Sequence, residues 1–500
     1  MAARLALGAA AALLLSAQGA AGAVGADRVH ALPGWPHALP SRHYSGYLSV
    51  PGSNGTRKHL HYYLVLSQKE GAPADGAGEP VVLWQNGGPG CSSLDGLWYE
   101  HGPFRINAAN NSLLEAFEFS WSKLANVLYL EAPAGVGFSW AEDASDYVTN
   151  DDKNAVDNLA AMQKFYELFP ELKPGALFLT GESYSGIYTP TLAEAIMQAD
   201  KAGEWRGARL TGIAVGNGCT GTELGICSNE GNKEKYLTAY LSQTALVSPE
   251  SKRAVAEACG DFAEQVPSLQ GACKEAVTAM HAQVSNVNLY NVYGECHGGS
   301  EAGVLKAPVP VTSYSNVVAD VLLRGGETLA GGANSAPGPQ ACIDSRFATN
   351  YLIQPAVVAA LHVKVPPYEW GVCKNQIKYT PTRPNLPRDT YPELVEYLDR
   401  TVIYNGDWDA CVPWTDNIDW TSKMAKSHAF REDAPWHPWS YVAADEGSPQ
   451  VGGYAVTYKT ARNQKFFYFI TVRGGRHEVP ETAPESALEL VRKLISGDQF

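Results

Sequence analysis

Residues 179–186 read L-T-G-E-S-Y-S-G, preceded by the apolar Leu177 and Phe178 and followed by a helix-like run. The apolar residues suit a buried strand, and Gly181, Ser185 and Gly186 let the backbone reverse around Ser183. That is the sequence form of a nucleophile elbow, a strand-to-helix turn that holds a serine hydroxyl exposed at its apex. The usual pattern is G-x-S-x-G; here Ser185 takes the second glycine's place and Gly186 follows. An ordinary strand-to-helix turn can read the same way, so partners elsewhere in the chain must decide.

Two partners follow in the order of an α/β-hydrolase, serine, then acid, then histidine. Residues 401–413, T-V-I-Y-N-G-D-W-D-A-C-V-P, run from an apolar strand into an Asn-Gly turn carrying Asp407 and Asp409. Residues 466–480, F-F-Y-F-I-T-V-R-G-G-R-H-E-V-P, end a β-rich run in a Gly-Gly loop presenting His477. Each alone reads as a turn aspartate or a surface histidine, but three strand ends offering Ser, Asp and His in this order point to catalysis. A serine hydroxyl is a weak nucleophile, so His477 must take its proton while a carboxylate orients the ring. Residues 81–93, V-V-L-W-Q-N-G-G-P-G-C-S-S, form a strand and Gly-rich loop upstream of the elbow, where such folds build half of the oxyanion hole. No G-K-[ST] ending or G-x-G-x-x-G accompanies that loop, which argues against phosphate binding.

With these residues together, the chain resembles the serine carboxypeptidases over nearly its whole mature length. The resemblance rests on D-R-V-H-A-L-P-G-W and Y-S-G-Y in 27–47, N-G-G-P-G-C-S-S at 86–93 and E-A-P-A-G-V-G-F-S-W at 131–140. It continues through the elbow, A-V-G-N-G at 214–218, N-G-D-W-D at 405–409 and H-E-V-P at 477–480. It implies Ser183 as nucleophile, His477 as base, and Asp409 rather than Asp407 as acid. It further implies an oxyanion hole from the backbone N–H groups of Gly88 and Tyr184. The substrate's terminal carboxylate would fall to Asn86, the Gly87 N–H, Glu100 and Glu182. Two glutamates suit an anion only if crowding keeps one protonated and able to donate, which would favour binding at acidic pH. The expected activity is removal of C-terminal residues from peptides and proteins through an acyl-enzyme, without a cofactor or metal. Two other roles stay open: acyl transfer from glucose esters, where relatives carry Asp in place of Glu182, and a protective binding partnership with another hydrolase. The chain departs from the family at Ser185, Ile187 and Arg476, and an inward Arg476 would lower the pKa of His477.

The fold expected is an α/β-hydrolase with a mixed, mainly parallel sheet, helices on both faces and an inserted cap. Candidate strands are 60–66, 81–84, 127–131, 177–180, 210–215, 402–404 and 466–472; Val156, Leu159, Met162, Tyr166 and Phe169, then Leu488, Val491 and Ile495, keep helical spacing. Core segments 24–218 and 360–500 would flank a cysteine-rich insertion, 219–359, whose Gly/Ala/Pro stretch 324–340 reads as a flexible linker open to cleavage. Residues 1–23, with Arg4, an Ala/Leu core and Ala21-Gly22-Ala23, read as a signal peptide, and no later segment is apolar enough for a membrane anchor. The expected route is the secretory pathway, towards a lysosome, a vacuole or the exterior.

Nine cysteines without paired C-x-x-C spacing favour disulfides over zinc. Resemblance to plant members implies Cys91 with Cys373, Cys259 with Cys273 and Cys296 with Cys342; proximity suggests Cys219 with Cys227, leaving Cys411 as the candidate unbridged thiol. Asn54 and Asn110 open glycosylation sequons. A net charge of −14 without a basic stripe argues against nucleic acid. Peptide and protein C-termini are the expected partners, and a homodimer stays open.

Overall fold

The computed structural model describes residues 25–107, 109–228, 232–260, 270–285, 287–295, 346–366, 370–373, 375–445 and 447–500. The expected signal peptide 1–23, the expected linker 324–340 and the expected pair Cys296 with Cys342 lie outside the described residues.

A 12-stranded sheet organises the chain. Its strands are β1 (Arg28–Val29), β2 (His43–Pro51), β3 (Arg57–Val65), β4 (Val81–Gln85), β5 (Asn126–Leu130), β6 (Trp140–Ala141), β7 (Ala176–Glu182), β8 (Arg209–Gly216), β9 (Arg400–Gly406), β10 (Arg431–Val442), β11 (Pro449–Lys459) and β12 (Phe466–Val472). Neighbours run β1-β2-β3-β5-β4-β7-β8-β9-β12-β11-β10, with β6 on β3. The centre, from β5 through β12, is parallel. Both flanks are antiparallel. Central strands read as unbroken apolar runs because both faces are covered.

Period-two alternation sends Val81 and Leu83 of β4 to one core and Val82 and Trp84 to the other. The first core receives α1 (Asp151–Leu168), α2 (Ser185–Lys201) and α6 (Trp414–Ser427); it also takes in side chains from α3 (Asn232–Ser242), α4 (Pro249–Cys259) and α5 (Gly271–Ala282). The second core receives α7 (Pro484–Ser496) through Leu490, Val491 and Leu494, all nearly inaccessible. Among the described residues no helix is long and apolar enough to cross a membrane.

Three disulfides are present: Cys91–Cys373, Cys219–Cys227 and Cys259–Cys273. Cys411 is buried and carries no disulfide. Asn54 and Asn110, the expected glycosylation positions, are both exposed.

Candidate active site

The parallel strands bring their C-terminal ends to one edge of the sheet, where open α/β folds present their ligand sites. β4 delivers the loop from Asn86, β7 delivers Ser183, β8 delivers Asn217, β9 delivers Asp409 and β12 delivers His477.

Ser183 has a positive φ of 61° between β7 and α2, a conformation that costs energy in any residue with a Cβ and is characteristic of a tight nucleophile turn. The neighbouring small residues are required sterically. A Cβ on Gly181 would overlap the Ser185 side chain and the Gln85 carbonyl, and one on Gly186 would overlap the Cys219 backbone. Ser185 fits where a glycine was usual because its hydroxyl is buried 2.9 Å from Thr189 Oγ1.

Asp409 is inaccessible to solvent, and its Oδ2 lies 2.7 Å from His477 Nδ1. The same carboxylate accepts the Cys411 N–H at 2.8 Å, the Val412 N–H at 3.2 Å and Asn217 Nδ2 at 2.6 Å. A carboxylate held this way only accepts, so Nδ1 of the ring carries the hydrogen and Nε2 is left basic. Burial pulls the His477 pKa down, but the charge of Asp409 and its hydrogen bond outweigh this and leave it raised. Asp407 faces elsewhere and accepts the Gly474 N–H at 2.7 Å, holding the loop that leads to His477. The geometry thus brings Asp409, not Asp407, to His477.

Asn86, Gly87, Gly88, Glu182, Ser183 and His477 line one cavity. Gly87 packs so closely on the elbow that an added Cβ would overlap the Tyr184 amide nitrogen and come within 2.8 Å of Ser183 Cβ. Among the described loop hydrogen bonds, neither the Gly88 nor the Tyr184 N–H donates to a backbone carbonyl. Asn86 Nδ2 donates to Glu100 Oε1 and to Glu182 Oε1, each at 2.9 Å, while its Oδ1 accepts Trp84 Nε1 at 2.7 Å. Burial first, and the neighbouring carboxylates second, push Glu100 and Glu182 well above the usual carboxyl range.

Sequence reasoning missed two further carboxylates. Asp95 and Glu478 line the same cavity, and oxygens of Asp95, Glu182 and Glu478 lie within 4.8 Å of one another. Burial and Glu478 raise Asp95 to about 7. Glu478 directly follows His477, a signal that sequence alone offered. Arg476 turns to carboxylates, Glu478 at 3.1 Å and Glu481. Tyr290, from the expected insertion, stacks edge-on against the His477 ring at 4.9 Å, and its carbonyl accepts the His477 N–H at 2.8 Å.

Comparison with known proteins gives the family. The family model described as serine carboxypeptidase matches residues 33–497. Serine carboxypeptidase-like 20 of Arabidopsis thaliana is 33% identical, covering 94% of this chain and 93% of its own. The lysosomal protective protein of Mus musculus is 32% identical, covering 95% and 94%, and serine carboxypeptidase 1 of Hordeum vulgare is 30% identical, covering 94% and 93%. The crystal structure of a prohormone-processing carboxypeptidase from Saccharomyces cerevisiae shares the fold, with a TM-score of 0.66 at 20% identity over 95% of this chain and 96% of that one. The chain belongs to the serine carboxypeptidase family of hydrolases.

Proposed function

We propose that the protein removes C-terminal residues from peptides through an acyl-enzyme on Ser183, with free-acid substrates favoured at acidic pH. The observation that carries this reading is Asn86 held between two buried glutamates, with Asn86 and Glu182 on the wall of the cavity that Ser183 and His477 share. A carboxyl kept protonated there donates to the substrate's terminal carboxylate, and Asn86 and the Gly87 N–H supply further donors. His477 takes the Ser183 proton as Oγ attacks the scissile carbonyl, and the Gly88 and Tyr184 N–H groups receive the oxyanion. The imidazolium then protonates the departing amine, and water repeats the sequence to release the acyl group. Tyr290, packed on His477, supports a cleft shaped by the insertion 219–359. Disulfides support passage through an oxidising secretory compartment.

The sign of the pH effect follows from the raised carboxyl pKa values. They are protonated below their pKa, so anion binding is intact in acid and fades as pH rises through it. His477 acts in the opposite sense, since a raised pKa withholds the base in acid. A C-terminally blocked substrate reports His477 alone. The ratio of kcat/KM for free over blocked peptide should therefore fall from pH 5 to 7.5, mainly through KM, and Glu182→Gln should flatten that fall. Identical pH profiles for the two substrates would reject the glutamate role. An acyl-glucose donor supplied with an alcohol acceptor tests acyl transfer in the same assay; turnover there with none on blocked dipeptide would favour the transferase reading.

A further inference from the structure

Asp151, the first residue of α1, is 1% exposed and lies outside the cavity. Its Oδ1 accepts the hydroxyls of Tyr184 at 2.9 Å and Tyr379 at 2.8 Å. Its Oδ2 accepts the N–H groups of Thr382 at 2.5 Å and Arg383 at 2.9 Å. One carboxylate thus ties the start of α1, the residue after the nucleophile, and the chain beyond Cys373. The ion pair of Arg383 with Glu194 of α2, at 3.0 Å, closes the same loop.

We infer that Asp151 is a positioning residue for the oxyanion hole, fixing the Tyr184 N–H by holding the Tyr184 hydroxyl. The inference rests on the reading of Tyr184 as an oxyanion donor. A backbone donor cannot be tuned by its own side-chain chemistry; it can only be aimed, and Tyr184, the N-cap of α2, makes no side-chain cap, its carbonyl accepting the Ile187 N–H at 2.9 Å. The phenol supplies that anchor at the far end of a rigid ring. Burial, then the charge of Asp151, keep the phenol protonated well above its ordinary pKa, so it remains a donor at every working pH.

Tyr184→Phe removes the anchor and leaves Asp151 its other donors, from Tyr379, Thr382 and Arg383. Tyr379→Phe removes an equivalent bond that does not reach the elbow, and both rings keep their edge-on packing at 5.6 Å. A purely structural Asp151 makes the two variants alike. The positioning role predicts that Tyr184→Phe lowers kcat about tenfold with KM within about twofold, part of the ~10²- to 10³-fold that loss of an oxyanion donor costs. Tyr379→Phe should keep kcat within about twofold while lowering Tm as much. Reaction of the full protein with a fluorophosphonate gives a second readout. Ser183 Oγ bonds to phosphorus, its proton passes to His477 and fluoride leaves, with the phosphoryl oxygen in the oxyanion hole. Tyr184→Phe should slow that labelling about tenfold. Equal labelling rates in the two variants overturn the inference. Wild-type labelling without release of C-terminal residues defeats the peptidase reading alone, whereas no labelling of wild-type Ser183 defeats both.

Discussion

Asp409 accepts from two backbone N–H groups, an asparagine amide and the imidazole, one donor at Oδ1 and three at Oδ2. These donors make burial of the charge tolerable, because a buried ion is stable only when paired and hydrogen-bonded. It also fixes the ring tautomer. Asn217 contributes by a strained route: its φ of 44° sends Nδ2 to Asp409 while its Oδ1 accepts the Gly406 N–H at 3.1 Å. Asp409→Asn would set an amide donor against these donors or present one to Nδ1, reversing the tautomer. We expect kcat to fall on the order of 10⁴-fold, the scale found when the acid of such a triad is replaced in other serine hydrolases. Binding of an uncleaved inhibitor should change little. A variant retaining more than about a tenth of wild-type kcat would show that His477 is oriented by something else.

Between elements, the tightest junction is the meeting of the loop after β4 with the elbow after β7. β4 and β7 are adjacent and parallel, with Gly181 beside Gln85, so both turns leave the sheet together and only glycine fits at position 87. Gly87→Ala should push the loop off the elbow and separate the Gly88 and Tyr184 N–H groups. The expected outcome is at least a 10²-fold loss of kcat with Tm lowered by only a few degrees, checked by kinetics beside a thermal melt. Unchanged kcat would mean that the loop bears no part of the oxyanion hole. These central strands were legible in the sequence because burial on both faces makes them continuous apolar runs. The outer strand β10 was not: R-E-D-A-P-W-H-P-W-S-Y-V carries two prolines and is mostly exposed, so neither alternation nor an apolar run marks it. Within α1 the helical spacing was visible, yet Val156 is 64% exposed while Asn154, Asp157 and Asn158 are buried. Asp157 turns inward to meet Lys58 of β3 at 2.6 Å, a partner far away in sequence. Asp95 and Glu478 escaped notice for the same reason. Their meeting depends on two loops from strands that are distant in the chain, a juxtaposition that neither local pattern contains.

At the scale of the whole molecule, burial of titratable groups decides how stability depends on pH. Burial raises Asp95 and Asp416 to about 7 and holds Glu100 and Glu182 well above the usual carboxyl range; each favours the folded state fully below its unfolded pKa and loses that contribution as pH rises through the folded value. Buried histidines work the other way. Burial lowers His43 to about 3, His281 to about 4 and His101 well below its ordinary value, so they cost stability as pH falls below about 6.5. The two sets oppose each other in moderate acid. Above pH 6.5 the histidines fall silent and only the carboxyls remain, joined by His477, whose raised pKa gives the same sign. Stability should therefore peak in mild acid and decline towards pH 8, with Tm higher at pH 5.5 than at pH 8. Asp416 isolates the cause, because it sits away from the catalytic cavity, with Oδ2 accepting the Ile226 N–H at 2.7 Å and Oδ1 buried without a partner. Asp416→Asn keeps an acceptor for Ile226 and removes the titration, so its Tm should fall less steeply between the two pH values. A Tm that rises towards pH 8, or a variant as steep as the wild type, would mean that buried carboxyls do not set the stability of this fold.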